Sequence, residues 1–579
     1  MIELKYSEIL NLNKNLEKKD QNEVYKILLL ANIEAHQSKE IIECSLRLEG
    51  INANVDVGDY DNIVQESEKR TGAHAVIIFW ELFNLIDGLQ FKIELLNETE
   101  IDKIEERIKN EIDFTIKNLK ECPLLIINKF SSLLFSSFSI ENNHLEELAT
   151  RLNKYLDKIE KKNLNIVNID NVISILGVKK SYDLRYLYSS KAPYTIEFFK
   201  NYCQLIKPLF MAINGKSKKA IIFDCDNTLW KGVLGEEGFN NIEMSLETKD
   251  GAIFKEVQSI ALSLVSKGIL IGLCSKNNAN DVDEVLSNHK DMVLRDNHIT
   301  IKKVNWSDKV SNLIEISKEL NIGLDSIVFI DDSDFEINFI KEQLPQVTVL
   351  KVPDKLHNYP AMLRESLNFF YRLSNTAEDK GKTKMYKEQR HREDQKSKFS
   401  SLNDFLVSLK LKIKIFKNEK SLIPRMSQMT QKTNQFNLTT KRYSETDIEN
   451  FIKSKNSDVY SFSVDDKFGS SGVTGLCILS NKKDQKIQID SFLMSCRVIG
   501  RNIEYVFIDY IIEQLKIDGF TSLTSKFIST IKNKQVLNFF ENCNFDLIDQ
   551  NDSCKNYFLS LSKYKISEIN YIEVVNNEN

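Results

Sequence analysis

No apolar run in the chain approaches the roughly 18 consecutive residues that a membrane-spanning helix needs, so nothing in it reads as a span. Charge of one sign is missing too. Lys and Glu are interspersed, the net charge is −5 and the isoelectric point is near 6.0, a pattern that offers no surface to nucleic acid or to lipid. The nine cysteines are an odd number and never fall in CxxC spacing, which argues against both a disulfide frame and a zinc site. Met1-Ile2-Glu3-Leu4-Lys5-Tyr6 has no apolar stretch of the signal-peptide kind. Together with unpaired thiols, that gives the expectation of a cytoplasmic protein. What is present is ordinary for a soluble globular protein, 42% hydrophobic and 28% charged. At 579 residues the chain exceeds one core, and about three or four domains are expected.

The most informative stretch is Ala220-Ile221-Ile222-Phe223-Asp224-Cys225-Asp226-Asn227-Thr228-Leu229-Trp230. Continuous apolar residues that stop at carboxylates read as a buried parallel strand whose carboxyl end carries a site. Asp224 and Asp226 stand close enough to share one divalent cation of the hard, oxygen-preferring kind such as Mg²⁺. One of the two would alternatively attack phosphorus and become an aspartyl-phosphate. A second apolar run, Ile269–Cys274, ends in Ser275-Lys276-Asn277, where a hydroxyl and backbone N–H groups can hold a phosphate oxygen. Lys309 follows in Asn305-Trp306-Ser307-Asp308-Lys309, placed to neutralise phosphate and nucleophile together. A third run, Ser326–Ile330, ends in Asp331-Asp332. The candidate phosphate-binding set is therefore Thr228, Ser275, Lys276, Asn277 and Lys309, and the candidate metal set Asp224, Asp226, Asp331 and Asp332. Strand alternation turns Cys225 away from both aspartates, into the packing layer.

This DxDxT, Ser, Lys, DD series resembles the four motifs of the haloacid dehalogenase (HAD) superfamily. More narrowly, DCDNTLWKGVLGEEG, NWSDK and the run Asn321–Asp332 are similar to the FkbH-like branch, a HAD subfamily IIIC phosphatase with SGNH-like and GNAT-like domains on either side. The tail Ser333-Asp334-Phe335-Glu336-Ile337 departs from that branch's usual Asn-Pro-x-Glu-Arg. The loop Trp230–Gly238 replaces the helix expected after the first strand and reads as a small lid or specificity loop.

The remaining chain fits this layout. Strands at Val24–Asn32, Ile51–Val57, Ala75–Trp80, Pro123–Asn128 and Leu164–Asn168 alternate with helices, which predicts a parallel sheet over residues 1–200. SGNH hydrolases place a nucleophilic Ser after the first strand and an Asp-x-x-His near the end. Here the first strand runs into Ala31-Asn32-Ile33-Glu34, and Asp183-Leu184-Arg185-Tyr186 has no His, so this domain reads as a non-catalytic scaffold. Ser189–Tyr194 breaks the pattern and a helix follows over Thr195–Ala212. The HAD-like domain is expected over 201–355, a charged helical connector over 356–400, with Tyr386 and Arg390 at places that match the FkbH-like branch, and a GNAT-like α+β domain over 401–579. In the last, a hairpin around Asn481–Asp484 precedes Met494-Ser495-Cys496-Arg497-Val498-Ile499-Gly500-Arg501-Asn502 and a helix over Ile503–Leu515. A loop opening a helix there is a place to seat pyrophosphate. It resembles the acyl-CoA loop R-x-x-G-x-G/A: Arg497, Gly500 and Arg501 are the candidate CoA or pantetheine contacts, with Asn502 where Gly or Ala is usual. Cys496 at the start of that segment is a candidate thioester nucleophile.

The fold expected is thus multidomain α/β: a HAD Rossmann-like doubly wound parallel sheet flanked by an SGNH/flavodoxin-like α/β domain and a GNAT-like α+β domain. The resemblance implies Mg²⁺, with CoA or phosphopantetheine as a further cofactor. Asp224 would be nucleophile or metal ligand, and Asp226 the general acid/base. Mg²⁺ would be held by Asp224, the Asp226 carbonyl and Asp331 or Asp332, and the phosphate gripped by Ser275 and Lys309. It implies transfer of a three-carbon acid from 1,3-bisphosphoglycerate to a separate acyl carrier protein, with loss of phosphate. Two alternatives stand beside it: a phosphatase or phosphotransferase for a phospho-sugar or phospho-amino acid, and a non-catalytic assembly scaffold.

Overall fold

The computed structural model of the protein describes residues 2–18, 23–69, 72–136, 140, 143–373, 385–388, 392, 395, 399, 401–530, 532–551 and 553–575. The chain forms two compact units, Met1–Asn214 with Tyr443–Asp447, and Gly215–Arg442 with Ile448–Asn579. The fold is multidomain α/β. Part of the expected connector, Arg390 included, lies outside the described residues; Tyr386 lies within them.

The first unit holds β1 (Tyr25–Ala31), β2 (Ala53–Val57), β3 (Ala75–Phe79), β4 (Leu124–Asn128) and β5 (Leu164–Val167), all parallel, in the order β2-β1-β3-β4-β5. β3 and β4 are buried at every position, which is why they read as unbroken apolar runs. The helix expected from Thr195 spans Ile196–Ile213, capped by the Thr195 hydroxyl on the Phe198 N–H, and belongs to this unit. The boundary consequently falls after Asn214, beyond the residue 200 that the sequence suggests.

In the second unit β6 (Ala220–Phe223), β7 (Leu270–Ser275), β8 (Ile299–Val304), β9 (Ile327–Asp331) and β10 (Thr348–Lys351) form a parallel sheet in the order β10-β9-β6-β7-β8. β6 is its centre and both faces are covered. Ile221 and Phe223 pack into one core with Phe254, Val257 and Tyr359, while Ala220 and Ile222 pack into another with Leu313, Ile316 and Ile340. Cys225 is fully buried in the first of these cores, as alternation requires. Gly272 on β7 is where a Cβ would meet Ile222 and Ile301, so close strand packing demands glycine there.

The same unit carries a mixed eight-stranded sheet in the order β16-β17-β15-β14-β13-β12-β11-β18: β11 (Leu411–Lys417), β12 (Asp458–Asp466), β13 (Gly469–Lys483), β14 (Lys486–Met494), β15 (Ser522–Ile528), β16 (Asp546–Gln550), β17 (Cys554–Ser560) and β18 (Ile572–Val575). The expected hairpin is β13–β14, but its turn is Asp484-Gln485, with φ of 50° and 59°, not the Asn481–Asp484 stretch. Two central residues with positive φ make the type of turn that matches strand twist.

Candidate active site and metal centre

The site lies at the carboxyl edge of the β6 sheet, where the strand order changes direction about β6. Asp224 follows β6 directly, and its N–H donates to the Ile330 carbonyl of β9. Asp331 ends β9. Carboxylate oxygens of Asp224, Asp331 and Asp332 all lie within 4.8 Å of one another. Lys309, first residue of the helix Lys309–Glu319, reaches into this group: its Nζ stands 2.6 Å from Asp331 Oδ2 and 3.1 Å from Asp224 Oδ1. Burial acts to lower the Lys309 ammonium, but Asp224 and Asp331 outweigh it and hold it above its ordinary range. Burial, then the neighbouring Asp224, pushes the Asp331 carboxyl up to about 7, and the same two causes raise Asp332. Three carboxylates against one ammonium are short of positive charge, and an all-oxygen set of this size fits a hard divalent cation.

Asp226 behaves differently. Its Oδ1 accepts from Trp230 Nε1 at 3.0 Å and from the Leu234 N–H at 3.1 Å, and its Oδ2 from Asn277 Nδ2 at 2.9 Å. Burial raises its carboxyl above the ordinary range, against the pull of these donors. The Asp226 side chain is held by these donors and is not one of the three clustered carboxylates, which leaves its backbone carbonyl as the atom expected at the metal. Its carboxylate is instead fixed in place, as a general acid needs to be. Asn277, expected at the phosphate, is the residue that holds it. Gly232, at φ 101°, makes this loop possible, since a side chain there would strike Glu237, and its N–H caps onto Asn227 Oδ1 at 3.1 Å.

Of the remaining phosphate-binding candidates, Thr228 Oγ1 is buried without a hydrogen-bond partner among the described residues. Ser275 is buried, its hydroxyl against the Cys225 thiol. Lys276 is turned aside to Glu336, with Nζ to Oε1 at 2.7 Å. Sequence reasoning missed Trp230, which holds Asp226, and Tyr359, buried beneath the loop with its hydroxyl donating to the Thr228 carbonyl at 3.1 Å. The indole lies inside the quoted motif and was legible from it; nothing in the sequence marks Tyr359.

The acyl-side candidates lie elsewhere. Cys496 opens a three-residue 3₁₀ turn, and the helix Ile503–Ile517 starts only at Ile503, so the thiol does not sit at a helix N-terminus as expected. Its carbonyl accepts from Asn321 Nδ2 at 2.7 Å, and its side chain lies near the Tyr386 hydroxyl and Lys219. Asn321 and Lys219 precede β9 and β6, at the amino edge of the sheet. Five residues of extended chain separate Lys219 from Asp224, about 16 Å. The structure thus does not bring Cys496 together with Asp224. Arg497 and Arg501 are buried; Arg501 Nη1 stands 3.2 Å from Asp466 Oδ2, an acid it shares with Arg392, and Arg497 lies against Ser495 and Met385. The expected pyrophosphate contacts are thus both turned inward. Gly500 and Asn502 take φ of 80° and 63°, and asparagine tolerates that region better than most residues with a side chain, which explains it where Gly or Ala is usual.

In the first unit, buried polar residues pair with one another at the carboxyl edge of the sheet. Tyr194 donates to the buried Glu81 carboxylate at 2.5 Å, while Asn32 exchanges bonds with the Glu81 backbone at 2.7 and 2.9 Å. Asp183 caps the helix Leu184–Ser190 and pairs with Arg185 at 2.7 Å.

Among solved structures, the chain is similar to the N-terminal part of a Bacteroides fragilis protein containing a phosphatase domain, complexed with Mg. The identity is 25% and the TM-score 0.57, over 64% of this chain and 100% of that one. It is also matched to the ribosomal-protein-S18-alanine N-acetyltransferase of Escherichia coli, at 11% identity and TM-score 0.22, over 27% of this chain and 97% of that one. A spermidine/spermine N-acetyltransferase of Vibrio cholerae matches at 13% and 0.22, over 26% and 95%. No family model matches the chain, and no curated protein matches it.

Proposed function

We propose that the second unit is a Mg²⁺-dependent phosphatase coupled to acyl transfer, acting on a small phosphorylated acid. The observation that carries the reading is the convergence of Asp224, Asp331 and Asp332 on Lys309 at the carboxyl edge of the β6 sheet. The Mg in the similar Bacteroides fragilis phosphatase domain supports it. Bound by the three carboxylates, Mg²⁺ would supply charge neutralisation at the phosphate oxygens. Asp224 attacks phosphorus, the P–O bond to the substrate breaks, and Asp226 gives its proton to the leaving oxygen. A water then hydrolyses the aspartyl-phosphate and returns a proton to Asp226. Ser275 and Lys309 hold phosphate oxygens.

The donor implied by the resemblance, 1,3-bisphosphoglycerate, carries two unlike phosphates. Attack of Asp224 on phosphorus of the acyl phosphate would release a free carboxylate and discard the activated acyl group. Attack on the ester phosphate leaves the acyl phosphate whole. We assign Asp224 to the ester and a thiol to the acyl group. Cys496 Sγ attacks the carbonyl carbon, the C–O bond to phosphate breaks, and inorganic phosphate leaves. The thiol of a phosphopantetheine arm on a separate carrier protein then takes the glyceryl group and frees Cys496. Two reactions at two edges of one sheet agree with the distance between them.

The test is the intact mass of the full chain after Mg²⁺ and 1,3-bisphosphoglycerate. Wild type should carry a glyceryl adduct, Cys496→Ala none, and Asp224→Asn an adduct heavier by one phosphate. The same adduct on Asp224→Asn as on wild type would sink the assignment of Asp224. Phosphate release without any adduct on wild type would leave the phosphatase alone, the reading favoured by the inward-turned Arg497 and Arg501. A non-catalytic scaffold would give neither.

A further inference from the structure

Lys276 is a lysine at the mouth of the site that the chemistry above does not use. β7 ends at Ser275, and alternation sends successive side chains to opposite sides. Ser275 and Asn277 go inward, to Cys225 and Asp226; Lys276 goes to the rim. There its Nζ donates to Glu336 Oε1 at 2.7 Å. Glu336 is itself buried in the first turn of the helix Asp334–Gln343, its N–H on Ser333 Oγ at 3.4 Å. On its other side the Lys276 charge is felt at Asp308, the residue that caps the Lys309 helix. The ammonium thus stands between the starts of the two helices that frame the carboxylate cluster.

Its position contrasts with that of Lys309, which is buried between two carboxylates. The Lys276 side chain keeps 39% of its exposure and, with one carboxylate partner, two further N–H donors. Trp306, two residues before Asp308, and Phe335, next to Glu336, are 76% and 70% exposed. A substrate whose phosphate lies against Asp224 would project its far end past Ser275 into this rim.

We propose that Lys276 reads a second anionic group on the substrate, a carboxyl or acyl-phosphate end about three carbons from the phosphate, and that Glu336 is its positioning residue. The inference rests on the reading of Asp224 as the phosphate site. It assigns the preference for a phosphorylated acid over a phosphorylated alcohol to one side chain. Glu336 fixes where the ammonium stands, and removing it would leave the charge but lose the direction.

The test compares two ligands that differ only at that end, 3-phosphoglycerate and glycerol 3-phosphate. Binding is measured calorimetrically in Mg²⁺ on the full chain carrying Asp224→Asn to stop turnover. The chain should bind 3-phosphoglycerate about tenfold more tightly, as a charge-assisted hydrogen bond implies. Adding Lys276→Met should abolish the preference and leave glycerol 3-phosphate affinity unchanged, and adding Glu336→Gln should reduce the preference in part. A preference that survives Lys276→Met, or that is absent at the outset, overturns the proposal. So does a loss of both affinities together, which would make Lys276 a phosphate contact. Failure of the phosphatase reading is seen separately, as p-nitrophenyl phosphate turnover by the wild type that is absent or that survives Asp224→Asn.

Discussion

Asp226 accepts three hydrogen bonds, from Trp230, Asn277 and the Leu234 N–H, and each favours its ionised form. Burial has nevertheless raised its carboxyl, so the donors limit an upward shift that burial drives. Removing one should let it rise further. Trp230→Phe or Asn277→Ala is expected to move the alkaline limb of the kcat/KM profile for phosphate release upward, by about half a unit to one unit, because Asp226 then keeps its proton at higher pH. An unmoved limb would mean that Asp226 is not the titrating acid. Asp331 gives a second pH effect of definite sign. Raised to about 7, it is partly protonated at neutral pH, and a metal ligand must be ionised. Mg²⁺ affinity, read as the Mg²⁺-dependent rise in Tm, should therefore grow from pH 5.5 to 7.5 and level off above, and Asp331→Asn should flatten the dependence. Asp224, Asp331 and Asp332 were legible because their chemistry needs charge at strand ends, and Lys309 because it follows in a motif of matching order. That the Asp226 side chain would be occupied, and that Lys276 would turn to Glu336, was not, because both depend on partners 51 and 60 residues away.

Elements were legible where burial dictates composition. β3, β4 and β6 are buried on both faces and cannot be other than apolar runs, and the helix after Thr195 announces itself by its cap and its spacing. Segments whose geometry rests on a few backbone angles were not. Polar residues crowd Asn481–Asp484, yet Lys483 pairs with Lys486, and this leaves Asp484-Gln485 as the turn. Gln485 holds φ 59° without the freedom of glycine, a left-handed angle that costs a side-chain-bearing residue about 1 kcal/mol. Gln485→Gly should accordingly stabilise the second unit by about 0.5–1 kcal/mol, seen as a rise in its Tm. No gain would indicate that contacts of the Gln485 side chain offset the strain. The segment after β14 is a comparable case. Positive φ at Gly500 and Asn502 delays the helix to Ile503 and leaves Cys496 outside it, an outcome that residue types alone do not reveal.

At the scale of the molecule, each unit is built on a parallel sheet whose carboxyl edge is the natural place for a ligand, and the two edges have different fates. In the second unit the edge gathers charge that asks for a cation. In the first, the buried Tyr194 and Glu81 are joined there by a hydrogen bond. That pairing could not be foreseen from the sequence, since Tyr194 and Glu81 are 113 residues apart. Burial pushes the Glu81 carboxyl up to about 8, against the bond from Tyr194. In the unfolded chain the same group ionises near its ordinary value of 4.5. The folded first unit therefore binds a proton that the unfolded chain lacks between those pH values. The stabilisation is fully present below about 4.5 and is lost as pH rises through 8. Unfolding followed by scanning calorimetry should show the transition of the first unit falling by roughly 10 °C between pH 5 and pH 9, beyond any fall in the second. Glu81→Gln, which keeps the shape and an acceptor for Tyr194 but carries no proton to lose, should remove that difference. A first-unit transition that falls as steeply in the variant would place the sensitivity elsewhere in the fold.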